Sequence, residues 1–269
     1  MLIVLIIFCI LLALSAIWIF MMAPRLARPP LLKKLTQYRF AHRGLHDIEK
    51  GVPENSLMAF RLAMEQGFGM ELDVHLSKDG KLVVEHDDSL LRTCGIDRPI
   101  EDCNWSEIKD LRLEGTEETL PLLEDVFKVV QGRVPLLIEA KVFGGNYNAV
   151  SAALYQAIQG YNGEVCIESF DPRAVGWFAK NAPKIVRGQL SGYRLKQKRI
   201  IEFAMRHLLV HCISRPDFLA YDHRKFGWAY HLFRALFGAP VFLWTVRTKE
   251  AKAVAEQQRA TPIFEKQGV

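Results

Sequence analysis

Seven charged or titratable side chains lie at or near the ends of short apolar runs in this sequence. They are His42, Arg43, Glu71, Asp73, His86, Glu139 and Lys141. The three carboxylates are hard oxygen ligands, the kind that Mg²⁺ and Ca²⁺ prefer. Without a metal ion, carboxylates gathered in one place would repel one another and raise one another's pKa values. If the fold brings them together, they predict a site for a divalent metal ion.

The basic and imidazole side chains of this set complement the carboxylates. Arg43 and Lys141 would bind a phosphate group. His42 and His86 can serve as base and acid in turn, because imidazole titrates near neutral pH. A metal ion would polarise a phosphoryl oxygen and stabilise the charge that develops on it. Together these residues predict a metal-dependent phosphodiesterase.

The stretch AHRGLHDIEKGVPENSLMAF, residues 41–60, combines several of these features. We expect His42 and Arg43 to end the first strand, and Gly44 to allow a tight turn after it. The Pro-Glu-Asn-Ser run that follows would begin a helix and keep Glu54 facing the site.

A hairpin signal joins the segments MELDVHL and KLVVEH. The Asp-Gly pair at 79–80 is a strong two-residue turn signal, and such a turn would place Asp73 directly opposite His86, with Cβ atoms within about 5 Å. Side chains alternate along a strand with period two, so Glu71 and His75 would share that face. His75 could contact the ligand, although a position behind the site or on the surface is the favoured interpretation.

Eight apolar runs predict buried parallel strands: 38–42, 70–74, 135–140, 164–168, 184–189, 217–221, 241–246 and 261–265. Helical patterns separate most of them: 53–67, 120–132, 148–160, 171–182, 194–209, 224–238 and 248–258. The alternation predicts an α/β fold, a (β/α)8 TIM barrel with a β-hairpin after strand 2. An open doubly wound sheet is the alternative, but no Gly-x-Gly-x-x-Gly follows the first strand. In a barrel the strand ends would carry the seven side chains to one mouth.

An uncharged run at residues 2–22 is long enough to cross a membrane as a helix. A signal peptide would have basic residues before a shorter apolar core. Here the basic residues follow the run, which predicts a single-pass protein with a cytoplasmic catalytic part. We therefore expect a transmembrane anchor at 1–23, a basic and proline-containing linker at 24–37, and a barrel domain at 38–269.

Composition excludes several other classes of protein. The chain has 269 residues, 50% of them hydrophobic, and a net charge of +5 without a dense basic tract, so nucleic acid is not an expected partner. Five widely spaced cysteines form no Cys-x-x-Cys pair, which indicates neither a zinc site nor a disulfide framework. The basic and aromatic segment 224–238 could lie on an anionic membrane, although an ordinary barrel helix is the favoured interpretation.

The order and spacing of eight short blocks resemble the glycerophosphodiester phosphodiesterase family over essentially all of residues 38–265. The blocks are His42-Arg43-Gly44, Pro53-Glu54-Asn55-Ser56, Glu71-Leu72-Asp73-Val74, Lys78-Asp79-Gly80, Val83-Val84-Glu85-His86-Asp87, Ile138-Glu139-Ala140-Lys141, Glu168-Ser169-Phe170-Asp171 and Trp244-Thr245-Val246. Three features depart from the family pattern: Ser56 replaces a common Thr, Arg247 replaces a common Asn, and the final block at 260–265 is shortened.

The resemblance implies a (β/α)8 barrel that hydrolyses glycerophosphodiesters to glycerol 3-phosphate and an alcohol. It implies the following roles: His42 and His86 as the general acid/base pair, Glu71, Asp73 and Glu139 as ligands of one divalent metal ion, Arg43 and Lys141 as phosphate-binding residues, Trp244 as a wall of the glycerol pocket, and Glu54 as a support. The family also suggests attack by the glycerol 2-hydroxyl to give a cyclic phosphate. The residues leave that step and direct attack by water equally open, as they do the choice between Mg²⁺ and Ca²⁺.

Three functions follow from these features. The first is hydrolysis of soluble headgroup diesters. The second is a membrane-tethered lysophospholipase D-type activity on a substrate in the bilayer, which the predicted anchor favours. The third is a catalytically silent lipid-binding or scaffold barrel. Loss of a histidine or of a metal carboxylate would favour the third, and none is lost.

Overall fold

The computed structural model describes residues 1–193, 195 and 198–265, and its described part contains a closed barrel. Nine strands form the sheet: β1 (Phe40–Ala41), β2 (Gly69–Leu76), β3 (Leu82–Val84), β4 (Leu136–Ala140), β5 (Val165–Ser169), β6 (Val186–Ser191), β7 (Phe218–Asp222), β8 (Val241–Val246) and β9 (Thr261–Phe264). All pair in parallel except β3, which pairs antiparallel with β2. The barrel closes because β1 pairs with both β2 and β9. The predicted (β/α)8 barrel with its hairpin is therefore confirmed, and the shortened final block does form the closing strand.

Helices alternate with the strands, largely where the helical patterns predict them. They are α1 (Leu2–Met22), α2 (Leu31–Leu35), α3 (Leu57–Glu65), α4 (Leu91–Cys94), α5 (Trp105–Ile108), α6 (Leu123–Val130), α7 (Tyr147–Gln159), α8 (Pro172–Asn181), α9 (Arg199–Arg206), α10 (His211–Ser214), α11 (Trp228–Phe237) and α12 (Lys249–Gln257). Of the helix predicted at 194–209, residues 194, 196 and 197 lie outside the described residues. The helix observed there ends at Arg206, and the separate short helix α10 follows it.

Local signals explain why several helices begin where they do. The Ser56 hydroxyl accepts a hydrogen bond from the Ala59 backbone N–H, which caps α3, so the serine performs the capping that a threonine would. The side chain of Asp171 caps α8, with Pro172 in the first turn. Within the segment 224–238, residues 228–237 form α11, whose buried Tyr230 and Phe233 make it a barrel helix.

The inward-facing side chains nearest the amino ends of the strands fill the barrel interior. Phe218 stacks on Phe242 with ring centroids 4.3 Å apart, and Phe40 packs against Phe242 at 5.5 Å. Gly188 provides the space for this packing, because a Cβ atom there would lie 2.2 Å from the Phe218 ring. This aromatic layer plugs the lower barrel, so a cavity inside it can open only towards the carboxyl ends of the strands.

The hairpin register differs by one residue from the sequence prediction. The Ser77 N–H donates to the Lys81 carbonyl at 2.8 Å, so the loop has three residues and only Gly80 is left-handed. The Asp79 side chain accepts a hydrogen bond from the Ser77 hydroxyl, which stabilises this longer loop. The prediction that Asp73 lies directly opposite His86 is therefore wrong.

The Glu85 N–H donates to the Asp73 carbonyl at 3.2 Å, which makes Glu85 the residue across the ladder from Asp73. His86 follows the end of β3 and still lines the mouth of the barrel.

The helix α1 projects from the barrel for most of its length. Its length and hydropathy suit a membrane span, and a signal sequence near a chain start would share both properties. Its last two turns pack on the barrel, through Trp18 and through Met22, which is fully buried.

Candidate active site

A cavity of about 250 Å³ opens at the carboxyl ends of the strands. Of the nine side chains that the sequence predicts for the site, six line it: His42, Arg43, Glu71, His86, Glu139 and Trp244. The other three contact this set: Asp73 and Lys141 form ion pairs with it, and Glu54 accepts a hydrogen bond from it. The fold thus brings all nine predicted residues together.

Strand register assembles the three carboxylates. Asp73 is paired with Glu139 across the β2–β4 ladder, and Glu71 lies two residues earlier on the same face. One oxygen from each of the three lies within 4.8 Å of the others, and all three residues are buried. Such a set of oxygen ligands suits a hard divalent cation.

The electrostatics of the triad also fit a cation. Burial raises the pKa of Glu71 well above its usual range, and the charges of Asp73, Glu168 and Glu139 raise it further. Burial raises the pKa of Glu139 to about 7. In addition, Glu168 Oε2 is buried without a hydrogen-bond partner in the described structure. A divalent ion would relieve this repulsion, so the residues present fit the metal ion that the sequence predicts.

Lys141 neutralises part of the acidic cluster. Its Nζ lies 2.9 Å from Asp73 Oδ1 and 2.9 Å from Glu139 Oε2. Burial opposes ionisation of Asp73, but the charges of Lys141, His86 and Arg43 hold the pKa of Asp73 well below its usual value. Asp73 is consequently the carboxylate of the triad that stays ionised most readily.

His42 is oriented by a carboxylate from the last strand. Its Nδ1 lies 2.7 Å from Glu265 Oε1, while its Nε2 points towards Glu71 Oε2 at 4.0 Å. A carboxylate accepts only, so Nδ1 carries the proton and Nε2 has a free lone pair. Burial lowers the pKa of His42 to about 4, against the raising effect of Glu265. His42 is therefore neutral near pH 7 and able to accept a proton.

His86 has a parallel arrangement. Its Nδ1 lies 2.6 Å from Asp87 Oδ1, and Arg92 Nε donates to the other oxygen of Asp87. Burial lowers the pKa of His86, and the nearby Asp73 charge opposes that effect. Against burial, the hydrogen bonds from Arg92 and His86 keep the pKa of Asp87 at about 2. The Asp87 carboxylate therefore stays charged and would stabilise a protonated His86.

Arg43 lies at the turn that leaves the first strand. Its backbone N–H donates to Glu71 Oε2 at 2.9 Å, and its guanidinium donates to Glu54 Oε1 at 2.8 Å. Gly44 follows at φ +78°, and a Cβ there would lie 2.8 Å from the Cβ of Ala59. Only glycine fits this turn, which fixes Arg43 over the acidic cluster.

Aromatic side chains form one wall of the cavity. Trp244 meets Phe170 edge to face with centroids 5.7 Å apart, and both line the cavity. Phe170 and Trp244 present apolar surface to the cavity, and charged groups line much of the rest of it. This apolar surface could contact the carbon atoms of a small polyol while the charged groups bind its phosphate.

Three side chains of the site have contacts that sequence reasoning did not anticipate. Glu265 and Asp87 each hold one histidine, and Arg247 forms a two-point ion pair with Glu265. Glu265 is the last residue of the strand predicted at 261–265, and barrel closure would have placed it beside the end of the first strand. His75 is buried and bonds to Glu101 at 2.8 Å. It lies behind the site, and the surface alternative for it is wrong.

The mouth of the closed barrel thus carries a carboxylate triad, two oriented histidines and two cations, which are side chains of the types that bind a divalent ion and a phosphate group. Over residues 42–265 the sequence matches the glycerophosphoryl diester phosphodiesterase family. The chain belongs to that family. Its members are phosphoric diester hydrolases, so the class of enzyme predicted from the motifs is confirmed at the level of the family.

Known relatives agree with this assignment. A glycerophosphodiester phosphodiesterase from Caldanaerobacter subterraneus is 37% identical over 56% of this chain and 65% of its own. The match thus spans less than two thirds of that relative. A lysophospholipase D from Homo sapiens is 30% identical over 51% of this chain and 47% of its own.

A solved structure has the same architecture. A phosphodiesterase from Oleispira antarctica, solved in complex with the product sn-glycerol-3-phosphate, superposes with a TM-score of 0.70. The two sequences are 25% identical, and the match covers 85% of this chain and 92% of the other.

Proposed function

We propose that this protein hydrolyses glycerophosphodiesters to glycerol 3-phosphate and an alcohol in a reaction that depends on a divalent metal ion. One observation carries the proposal. Two histidines, each bonded through Nδ1 to a carboxylate, line the same cavity as Glu71 and Glu139, which form a buried carboxylate triad with Asp73. Family membership and the product complex of the Oleispira antarctica structure support the substrate class.

Substrate binding is assigned to cationic and aromatic groups of the mouth. Arg43 and Lys141 bind the phosphate oxygens, and Trp244 packs against the glycerol carbons. Glu54 supports Arg43 from behind, because it accepts hydrogen bonds from both Arg43 and Arg92. The triad would hold one Mg²⁺ or Ca²⁺ ion, which would supply charge stabilisation at the phosphoryl oxygens.

Proton transfer is assigned to the two histidines. His42 accepts the proton of the attacking hydroxyl group at Nε2, because Glu265 fixes its proton on Nδ1. His86 donates a proton to the departing alcohol, and the neighbouring Asp87 carboxylate stabilises its charged form beforehand. Attack by the glycerol 2-hydroxyl or by water would use the same pair of residues.

A lysophospholipase D-type activity is the second candidate. It is favoured by the apolar helix α1, which would bring the barrel to a membrane as a single-pass protein with the catalytic part in the cytoplasm. The 30% identity to a human lysophospholipase D agrees with this candidate. A silent scaffold has less support, because the histidines and carboxylates stand in a geometry that suits catalysis.

The test uses the full chain in phospholipid nanodiscs with glycerophosphocholine and with added Mg²⁺, Ca²⁺ or a chelator. We expect metal-dependent release of glycerol 3-phosphate, and a loss of about 10²-fold or more in His42→Ala and in His86→Ala. His231→Ala is the matched control, since His231 lies exposed on α11 away from the cavity. Wild-type activity in both active-site variants, or full activity of the wild type with chelator, would contradict the proposal.

A further inference from the structure

The helix α1 runs along one side of the barrel, and its contacts fix the direction in which it runs. Near its end, His211 Nδ1 lies 3.0 Å from the Met22 carbonyl. Just beyond it, the Arg25 N–H donates to the carbonyl of Pro216, which precedes β7. The end of α1 therefore lies towards the amino ends of the strands.

The preceding turn of α1 lies further towards the carboxyl ends of the strands. Trp18 packs against Trp228 with ring centroids 5.5 Å apart, and against Phe203 at 6.4 Å. Trp228 begins α11, directly after the loop that leaves the carboxyl end of β7. Going back along the chain from Trp18, α1 therefore runs in the direction of the mouth.

The remaining part of α1, residues 2–17, is exposed. At 1.5 Å per residue it extends about 24 Å, which is most of the hydrocarbon core of a bilayer. A membrane crossed by this segment would face the mouth of the barrel rather than its closed end.

Apolar side chains surround the point where α1 leaves the barrel. Ile200 is 84% exposed and Trp228 is 54% exposed, and Ile201 and Phe203 are also exposed. They occupy α9 and the beginning of α11, the elements that Trp18 contacts. Tryptophan beside aliphatic residues is typical of a surface that enters the membrane interface.

A groove of about 1170 Å³ connects this apolar rim to the catalytic centre. Its polar end is lined by His86, Glu139 and Lys141. Its apolar wall comes from α9, α10 and the turn before α10: Ile200, Ile201, Ala204, Met205, Val210 and Ile213. The volume exceeds the roughly 300–1,000 Å³ typical of small-ligand pockets, and it lies beside a cavity that already suits a glycerol phosphate.

We propose that the mouth of the barrel faces the bilayer that holds α1, and that the groove along α9 and α10 takes the acyl chain of a single-chain phospholipid. The inference rests on the proposed phosphodiesterase activity and names its substrate class. The ester phosphate then lies between Lys141 and the triad, while the chain follows the apolar wall back to the rim at Ile200.

The first test compares two substrates that release choline, lysophosphatidylcholine and glycerophosphocholine, with the full chain in phosphatidylcholine nanodiscs. In Ile200→Glu/Ile201→Glu, we expect the ratio of kcat/KM for the lipid to that for the soluble diester to fall at least tenfold. Leu236→Glu is the matched control, because Leu236 is 48% exposed near the other end of α11, and it should leave the ratio unchanged. The inference would be overturned, while the proposed function stands, if the double variant had an unchanged ratio. It would also be overturned if the wild-type chain cleaved glycerophosphocholine but not lysophosphatidylcholine.

A binding measurement separates failure of the inference from failure of the proposed function. The His42→Ala chain in nanodiscs is irradiated with a photoactivatable lysophosphatidylcholine, and the labelled peptides are identified by mass spectrometry. We expect labelling within 199–214 that Ile200→Glu/Ile201→Glu abolishes. Labelling confined to α1, or a cross-link to a second copy at this face without lipid, would overturn the groove assignment. If neither substrate releases choline, the proposed function fails, and this measurement still decides whether the groove binds the lipid.

Discussion

On or just after five strands, the side chains that face the barrel interior change from packing residues to site residues, most of them ionisable, within two positions along the chain. The lower layer contains Phe40, Leu137, Cys166, Phe242 and Ile263, and the layer above it contains His42, Glu139, Glu168, Trp244 and Glu265. Strand periodicity makes the two layers neighbours on the same face. The lower layer gains free energy from apolar burial, whereas the upper layer buries ionisable groups at a cost. Stability and chemistry are therefore separated along the barrel axis.

Removal of one triad charge should have the largest effect on activity. Glu71→Gln keeps an acceptor for the Arg43 N–H but removes a metal ligand, and we expect kcat/KM to fall about 10³-fold. In the presence of a chelator, the melting temperature of Glu71→Gln should not be lower than that of the wild type, because the Glu71 carboxylate is repelled by its neighbours. A clear loss of thermal stability in chelator would show that the carboxylate stabilises the fold and would break the contrast between the layers.

A substitution in the lower layer should have the opposite profile. Phe218→Ala leaves a cavity beside Phe242, and we expect it to lower the free energy of unfolding by about 3–5 kcal/mol. Activity per folded molecule, measured well below the melting temperature, should stay within about twofold. If the alanine variant does not fold, Phe218→Leu provides the same comparison, with an expected loss of about 1 kcal/mol in the free energy of unfolding. A large fall in kcat in either folded variant would contradict the separation.

The carboxylate behind His42 should affect turnover more than binding. Glu265→Gln keeps a hydrogen-bond acceptor but loses the charge that stabilises protonated His42, and we expect kcat to fall about 10–100-fold with little change in KM. Arg247→Gln is the matched variant, because Arg247 contacts Glu265 and reaches His42 only through it. We expect a smaller loss of kcat for this variant. Equal kcat in Glu265→Gln and the wild type would exclude a positioning role for Glu265.

A buried histidine outside the site sharpens the contrast further. His211 bonds to the Met22 carbonyl, and burial lowers its pKa to about 4. Since the folded pKa lies below the unfolded value near 6.5, the neutral form stabilises the fold above that pH, and stability falls as the pH drops. Between pH 7 and 5.5 we expect a loss of about 1 kcal/mol. In His211→Gln, stability measured by thermal unfolding should depend less on pH between 7 and 5.5. An unchanged dependence on pH would contradict the assignment of this loss to His211.

Most of the barrel was predictable because its strands are short apolar runs buried on both faces, with capped helices between them. The convergence of the triad followed from the same pattern, since strand ends meet at one mouth. The hairpin register was not predictable from Asp79-Gly80 alone, because the hydrogen bond from Ser77 to Asp79 selects the longer loop. The contact of His42 with Glu265 was missed because it joins the first and last strands, and no local pattern reports barrel closure.

Metal stoichiometry, measured together with turnover, tests the central claim most directly. The full chain in nanodiscs is dialysed to equilibrium against Mg²⁺ or Ca²⁺, and bound metal and glycerol 3-phosphate release are determined on the same samples. We predict one ion per chain, activity that rises with its occupancy, and at least about 100-fold weaker binding in Glu71→Gln. Full turnover by chains without a bound ion would contradict the account of the upper layer as a metal-dependent phosphodiesterase centre.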